Sequence, residues 1–434
     1  MGNGNYIGRV GALAVALGIG VGLVSSPGLV LAKPKPSDDT NQTTDSEAAK
    51  SPSAAKAPKP PKDVYVSKNG VVKKDGGGTA FAQTPIGSTH TKARANGANS
   101  SAIVGGNDSS ATANGTGATA RTGGGTNNNA KANADGARAD AGYDVVTGGT
   151  NNNNNTARAS GENSIAEAGA DGNNNNNNRA TVDGDNSQAY AGANGSGNSN
   201  NTASVTGDTT TGVPGDNSVA SAGSFGDNNN DNRASAVGQN AQAFAGGGTT
   251  PEVGSFTGSN SDGNVATSTN TGSGLTVAYA GIDGDNNDNN TGSATNSGAN
   301  SSTAVAAGAS GDNNSGNSAT ASNSGDDSET VGAAGYFGDN NTGNTATATN
   351  SGNGNSTVGE AGSEGNGNID NTANGTNSGL DSFLNALAGS EGNDLTNNIA
   401  TATNTEEGTT TDARAAAPAG CTATAANGMP GSCS

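Results

Sequence analysis

The sequence predicts an all-β fold: a repetitive β-solenoid of about ten coils, 23–35 residues each, with a disordered amino-terminal linker and a carboxy-terminal tail. Three observations predict it. Large apolar residues are too scarce for a conventional core, a repeat holds strict register, and each repeat alternates with the period of a strand.

Only 29% of the 434 residues are hydrophobic and 3% aromatic, against 72 Gly and no Trp. After Ala32 the leucines are Leu275, Leu380, Leu384, Leu387 and Leu395. Ordinary domains offset chain entropy by burying Leu, Ile, Val and Phe. This composition excludes most enzyme folds, helical bundles and Rossmann-type sheets. It leaves an Asn/Gly-rich disordered polymer or a solenoid whose interior is one small side chain wide.

The register favours the solenoid. Within residues 95–405, Ala-Gly dipeptides begin at 141, 168, 191, 222, 245, 280, 307, 334, 361 and 388, and the last four gaps are all 27. At the same step fall Asn290, Asn317, Asn344, Asn371 and Asn398, and also Asn296, Asn323, Asn350, Asn377 and Asn404. Within a unit, Asn344-Thr-Ala-Thr-Ala-Thr-Asn350 puts Asn and Ala on one side of a strand and Thr on the other. A second segment carries a small face: Thr276, Ala278, Ala280, then Thr303, Val305, Ala307, and so on. Its opposite face accepts Tyr279, Ala306, Ala333, Glu360 and Leu387, so it is expected to lie outside. Gly338–Asn341 and Asn350–Gly352 supply the corners, because Gly and Asn tolerate positive φ. Asn repeated at one corner is expected to stack coil on coil, amide to amide, which satisfies groups costly to bury. The asparagine runs 151–155 and 173–178 read as external loops. Leu380, Phe383, Leu384 and Leu387 read as a capping terminal coil, with a short amphipathic helix as the alternative.

The remaining segments follow in order. Residues 1–32 have the form of a signal peptide, with Arg9, the apolar run Val10–Val24, and cleavage after Ala32. Residues 33–62 form a Pro/Lys-rich disordered linker, 63–94 a short strand with a Gly-rich linker, 95–405 the repeats, and 406–434 a separate tail. No second apolar stretch follows the leader, so no transmembrane segment is expected in the mature chain. Cys421 and Cys433 are expected to pair, as exported thiols oxidise.

Charge is segregated. Residues 33–94 hold 11 bases and 6 acids, while 95–434 hold 7 bases and 32 acids. A long acidic surface repels nucleic acid and anionic lipid, and both are discounted as partners.

Several patterns carry candidate chemistry. Asp285, Asp312 and Asp339 form a carboxylate row that is the one candidate calcium site, although each turn supplies a single hard ligand. The Thr face, read as Ser293, Thr320, Thr347, Asn374 and Thr401, is similar to the flat threonine arrays of ice-binding solenoids. Tyr190, Phe244 and Tyr279 are candidate ligand-facing aromatics, suited to sugar rings or another subunit. His90 is the single histidine, and no nucleophile–base pair surrounds it. No catalytic residue is expected, and no cofactor beyond the calcium alternative.

The leader Asn5-Tyr-Ile-Gly-Arg-Val-Gly-Ala-Leu-Ala-Val-Ala-Leu-Gly-Ile-Gly20 resembles those of mycobacterial exported proteins, including Asn/Gly-rich repeat proteins. That resemblance implies an envelope or secreted destination. Gly215-Asp-Asn-Ser-Val-Ala-Ser-Ala-Gly223 looks like the heads of trimeric autotransporter adhesins. The expectation is therefore a secreted or cell-surface, non-enzymatic structural or adhesive protein that presents repetitive polar faces to a glycan or to other copies. A calcium-binding secreted repeat protein and a disordered surface spacer are the alternatives.

Overall fold

The computed structural model describes residues 62–143, 150–207, 217–247, 258–362, 364–389, 392–418 and 420–433. The leader at 1–32 and the linker up to residue 61 lie outside them. The unit Lys62–Ser434 is an all-β solenoid of two parallel sheets, with 16 and 15 strands. At ~4.8 Å per strand the larger sheet runs for about 70 Å. The spacer alternative, a disordered chain, does not hold for this unit.

The chain enters through a hairpin, β1 (Val64–Lys68) and β2 (Val71–Asp75), which joins the first sheet antiparallel. From β3 (Phe81–Gln83) and β4 (Lys92–Asn96) onward, strands alternate between the sheets and every inter-strand ladder is parallel. Edge strand β2 is exposed throughout and carries Lys73 and Lys74, which discourage another strand from adding there. The segment 63–94 is thus part of the solenoid.

So is the segment 406–434. Thr410–Ala415 and Gly431–Cys433 extend the second sheet, and Thr422–Ala426 extends the first. At both extremities the spacing shortens: Lys92 pairs with Ser110 and Ala413 with Gly431, each 18 residues on, so neither end shows the 27-residue step throughout.

The alternation within each repeat is realised in the first sheet. In Thr345–Asn350, Ala346, Ala348 and Asn350 point into a closed interior, while the threonines face out half-buried. Ala from both sheets forms one continuous buried stack from Ala80 to Ala425. The interior is narrow enough that size must be traded across it. Leu384, fully buried, takes an inward place held by Thr276, Thr303, Thr330 and Thr357 in preceding coils, and the first sheet answers with Gly375 where its neighbours have Ala. A Cβ on Gly375 would strike the Leu384 Cδ2 atom. Leu384 lies in strand Phe383–Ala388, neither in a helix nor in a terminal coil: two further strands of each sheet follow it, and Leu380 is exposed.

Corners impose the composition. In the 27-residue coils three positions take left-handed φ near 50–70°: Asn286, Asn289 and Asn300, then Asn313, Gly316 and Asp327, then Asn340, Gly343 and Gly354. Only Gly, Asn and Asp occupy them, as sterics dictate. The asparagine runs are built on the same rule and are not external loops. Asn151, Asn154, Asn174 and Asn177 are left-handed, while Asn152, Asn155, Asn175 and Asn178 are buried.

Candidate functional site

Asparagine ladders at the corners hold the coils in register, and two of them contain the predicted files. In the first, each asparagine sends its side-chain and backbone N–H groups to the Oδ1 of the asparagine one coil earlier. It runs Asn128, Asn155, Asn178, Asn201, Asn232, Asn264, Asn290, Asn317, Asn344, Asn371, Asn398. At its end the Asn398 Oδ1 accepts the N–H groups of Ala417 and Cys421, which docks the last coil. The second ladder links Asn270, Asn296, Asn323 and Asn350 amide to amide. It is interrupted at Asn377, because the Asn355 side chain takes the Asn350 oxygen at 2.8 Å, and Asn404 rejoins Asn377 at 3.3 Å. Both predicted files are therefore structural.

The structure brings Asp285, Asp312 and Asp339 into one exposed row. Each Oδ1 accepts the backbone N–H of the turn before it: Ser259 to Asp285 at 2.9 Å, Asp285 to Asp312 at 2.8 Å, Asp312 to Asp339 at 2.9 Å. This is the same work an asparagine does at Asn366, which accepts from Asp339. Among the described residues no group of three or more His, Cys, Asp or Glu is placed to hold a metal ion. Cys421 and Cys433 form a disulfide.

The three aromatics do not face a ligand. Phe244 and Tyr279 are buried and stacked, with centroids 5.6 Å apart, and Tyr190 is buried with its edge toward Phe225 at 5.8 Å. The outward side of the second sheet is closed over much of its length, so a face that varies in size is here not a face open to solvent. Val277, Val331, Val358 and Leu387 are buried on it as well. Burial pushes the Tyr279 hydroxyl well above the ordinary tyrosine range.

The sequence reading missed a charged cluster on this same side. Arg121, Asp140 and Glu167 occupy one file across neighbouring strands. Arg121 Nε donates to Asp140 at 2.8 Å and its guanidinium lies 4.3 Å from the Tyr143 ring centre; Arg138 meets Glu167 at 3.0 Å. Burial pushes the Glu167 carboxyl up to about 7, against the pull of Arg138. Its members are 19 and 27 residues apart, and only the pairing of unequal coils aligns them.

The first sheet presents an open face of a different kind. Ser293, Thr320, Thr347, Asn374 and Thr401 form one register-matched file, flanked by Thr295, Ser322, Thr349, Thr376 and Thr403. Toward the amino end the same face carries exposed Lys92, Arg94, Lys131, Arg158, Arg179 and Arg233. His90 is solvent-exposed near this end, with Nδ1 2.9 Å from Asp108. A hollow of about 250 Å³ at the same end is lined by Pro85, Ile86, Asn107 and Thr126 among others, none of them titratable.

No protein-family model, curated protein or solved structure matches the chain. Among the described residues no helix is long and apolar enough to cross a membrane.

Proposed function

We propose that the chain is an exported, non-enzymatic structural or adhesive protein of a cell surface, and that it lays the outward face of its first sheet along a glycan. One observation carries this reading: hydroxyl and amide side chains repeat on that face in two straight files, one residue of each per coil, from Ser293 to Thr401 and from Thr295 to Thr403. Strands set neighbours in a file ~4.8 Å apart, while residues two apart on a strand set the files roughly 7 Å apart. Such a lattice offers donors and acceptors along a polymer rather than around one small molecule. Buried ladders and Ala stacking keep it rigid, so little side-chain or backbone entropy is lost on binding.

The test is retention of the full chain on an array of neutral and charged polysaccharides. Thr320→Glu/Thr347→Glu, both outward, the first exposed and the second half-buried, is expected to lower retention on the neutral glucans of the array at least tenfold with the circular dichroism unchanged. Absence of retention on every glycan, or indifference to that pair, would overturn the reading.

A further inference from the structure

Lys and Arg are scarce in the solenoid, yet their placement is not scattered. Of the eight bases between Lys92 and Arg233, Arg121 and Arg138 lie on the second sheet and pair with Asp140 and Glu167. The other six, Lys92, Arg94, Lys131, Arg158, Arg179 and Arg233, point outward from the first sheet and are exposed. None of the six has a carboxylate partner among the described residues.

Strand pairing sorts them into two adjacent files. Lys92, Arg179 and Arg233 share one, through Ser110, Asn129, Thr156 and Thr202; Arg94, Lys131 and Arg158 share the other, through Thr112. The strip crosses seven strands, about 30 Å, and is only two residues wide, roughly 7 Å. Lys131 and Arg158 are direct neighbours across one ladder. Like charges in that position are destabilising unless something neutralises them. One acid, Asp183, is exposed on the same face, at the border of the strip.

We infer that this strip is a binding surface for a linear anionic polysaccharide lying parallel to the solenoid axis. The inference rests on the glycan reading of the first-sheet face and names the charge class of the glycan. Charge complementarity identifies the occupant, and the length and narrowness of the strip fit a single extended chain. Thr112, Asn129, Thr156 and Thr181 between the cations supply hydrogen bonds for sugar hydroxyls. Nucleic acid fits less well. The strip carries no aromatic residue on which bases could stack. The chain's charge of −19 does not forbid the contact, because 19 acids and a single base follow Arg233, so most of the acidic excess sits farther along the axis. With a screening length of about 8 Å in physiological salt, a polymer on the strip feels the strip.

The experiment uses the full chain with three probes: polygalacturonate, a neutral glucan retained in the array above, and single-stranded oligo(dT). Polygalacturonate is expected to bind, to weaken steeply with added NaCl, and to lose at least tenfold in affinity in Lys131→Gln/Arg158→Gln, with the β circular dichroism intact. If that pair does not fold, Arg179→Gln/Arg233→Gln decides by the same readout. Neutral-glucan binding is expected to survive both pairs and to respond instead to Thr320→Glu/Thr347→Glu, so the two readings fail separately. Polygalacturonate binding no tighter than neutral glucan, or insensitive to the cation variants, overturns the inference. Tighter retention of oligo(dT) than of polygalacturonate also overturns it and assigns the strip to nucleic acid.

Discussion

The Asn344 side chain donates to the Oδ1 of Asn317 at 3.0 Å, and the Asn344 backbone N–H reaches the same oxygen at 3.0 Å. Asn344 in turn donates to the Asn368 carbonyl at 2.8 Å and accepts two N–H groups from Asn371. Every polar atom of this buried amide is thereby used. Truncation in Asn344→Ala orphans groups on both neighbouring coils, at about 1–3 kcal/mol each. Asn344→Asp removes the donors and buries a charge, so it is expected to be the worse of the two. Thermal melts with hydrogen exchange on the Asn317 and Asn371 coils check the order; an Asp variant as stable as the parent would refute the ladder's energetic role.

The threonines of the inward file give the opposite expectation. The Oγ1 atoms of Thr276, Thr303, Thr330 and Thr357 are buried without a hydrogen-bond partner. A buried, unpaired hydroxyl costs stability, and Val has nearly the same shape. Thr330→Val is expected to raise stability by about 1 kcal/mol, read from the melting temperature. A loss of stability would mean the hydroxyl has a partner in solution.

Much of this was legible because one register governs both ladders and corners. Asn290 and Asn296 recur at one step because each must meet its counterpart a coil away, and Ala346 and Ala348 alternate with threonines because one side is closed. What was not legible had no such signature. Tyr279 varies in size with its file and still is buried, so variability did not report exposure. Asn152 and Asn155 sit inside a homopolymeric run, where inward and outward asparagines read alike. The cation strip aligns only when the short coil Lys92–Ser110 and the long coil Thr202–Arg233 are paired, and composition alone gave an acidic protein.

Leu384 and Gly375 form a size-matched pair across the interior. Gly375→Ala brings a methyl against the leucine, and overpacking of this kind costs about 1–3 kcal/mol. Combined with Leu384→Val the clash is relieved, so the double variant is expected to be more stable than the sum of the two single losses. Melting of the four chains in a double-mutant cycle measures the coupling, and strict additivity would disprove the contact.

Reduction of Cys421–Cys433 is expected to act locally. The bridge closes a loop of separation 12, worth about 3 kcal/mol by loop entropy. That loop holds Thr422–Ala426 and Gly431–Cys433 against the ends of both sheets. In a stacked repeat each coil contacts only its neighbours. Amides of 410–433 are therefore expected to exchange faster in Cys421→Ser/Cys433→Ser, while those of Thr345–Asn350 are unchanged. Faster exchange throughout would show that the last coil caps the whole stack.

Glu167 gives the solenoid a pH dependence of definite sign. Burial dominates and moves its carboxyl from 4.5 to about 7, while Arg138 opposes and Asp140 adds to the rise. The folded chain therefore holds this proton more tightly than the unfolded chain. Its contribution to stability is full below pH 4.5 and is lost as pH rises toward 7, by about 3 kcal/mol at most. Glu167→Gln keeps the shape and cannot ionise. It is expected to match the parent near pH 4 and to exceed it at pH 8, as read from melting curves across that range. If the two profiles stay parallel, the carboxyl is ionised throughout and the Arg138 pair outweighs burial.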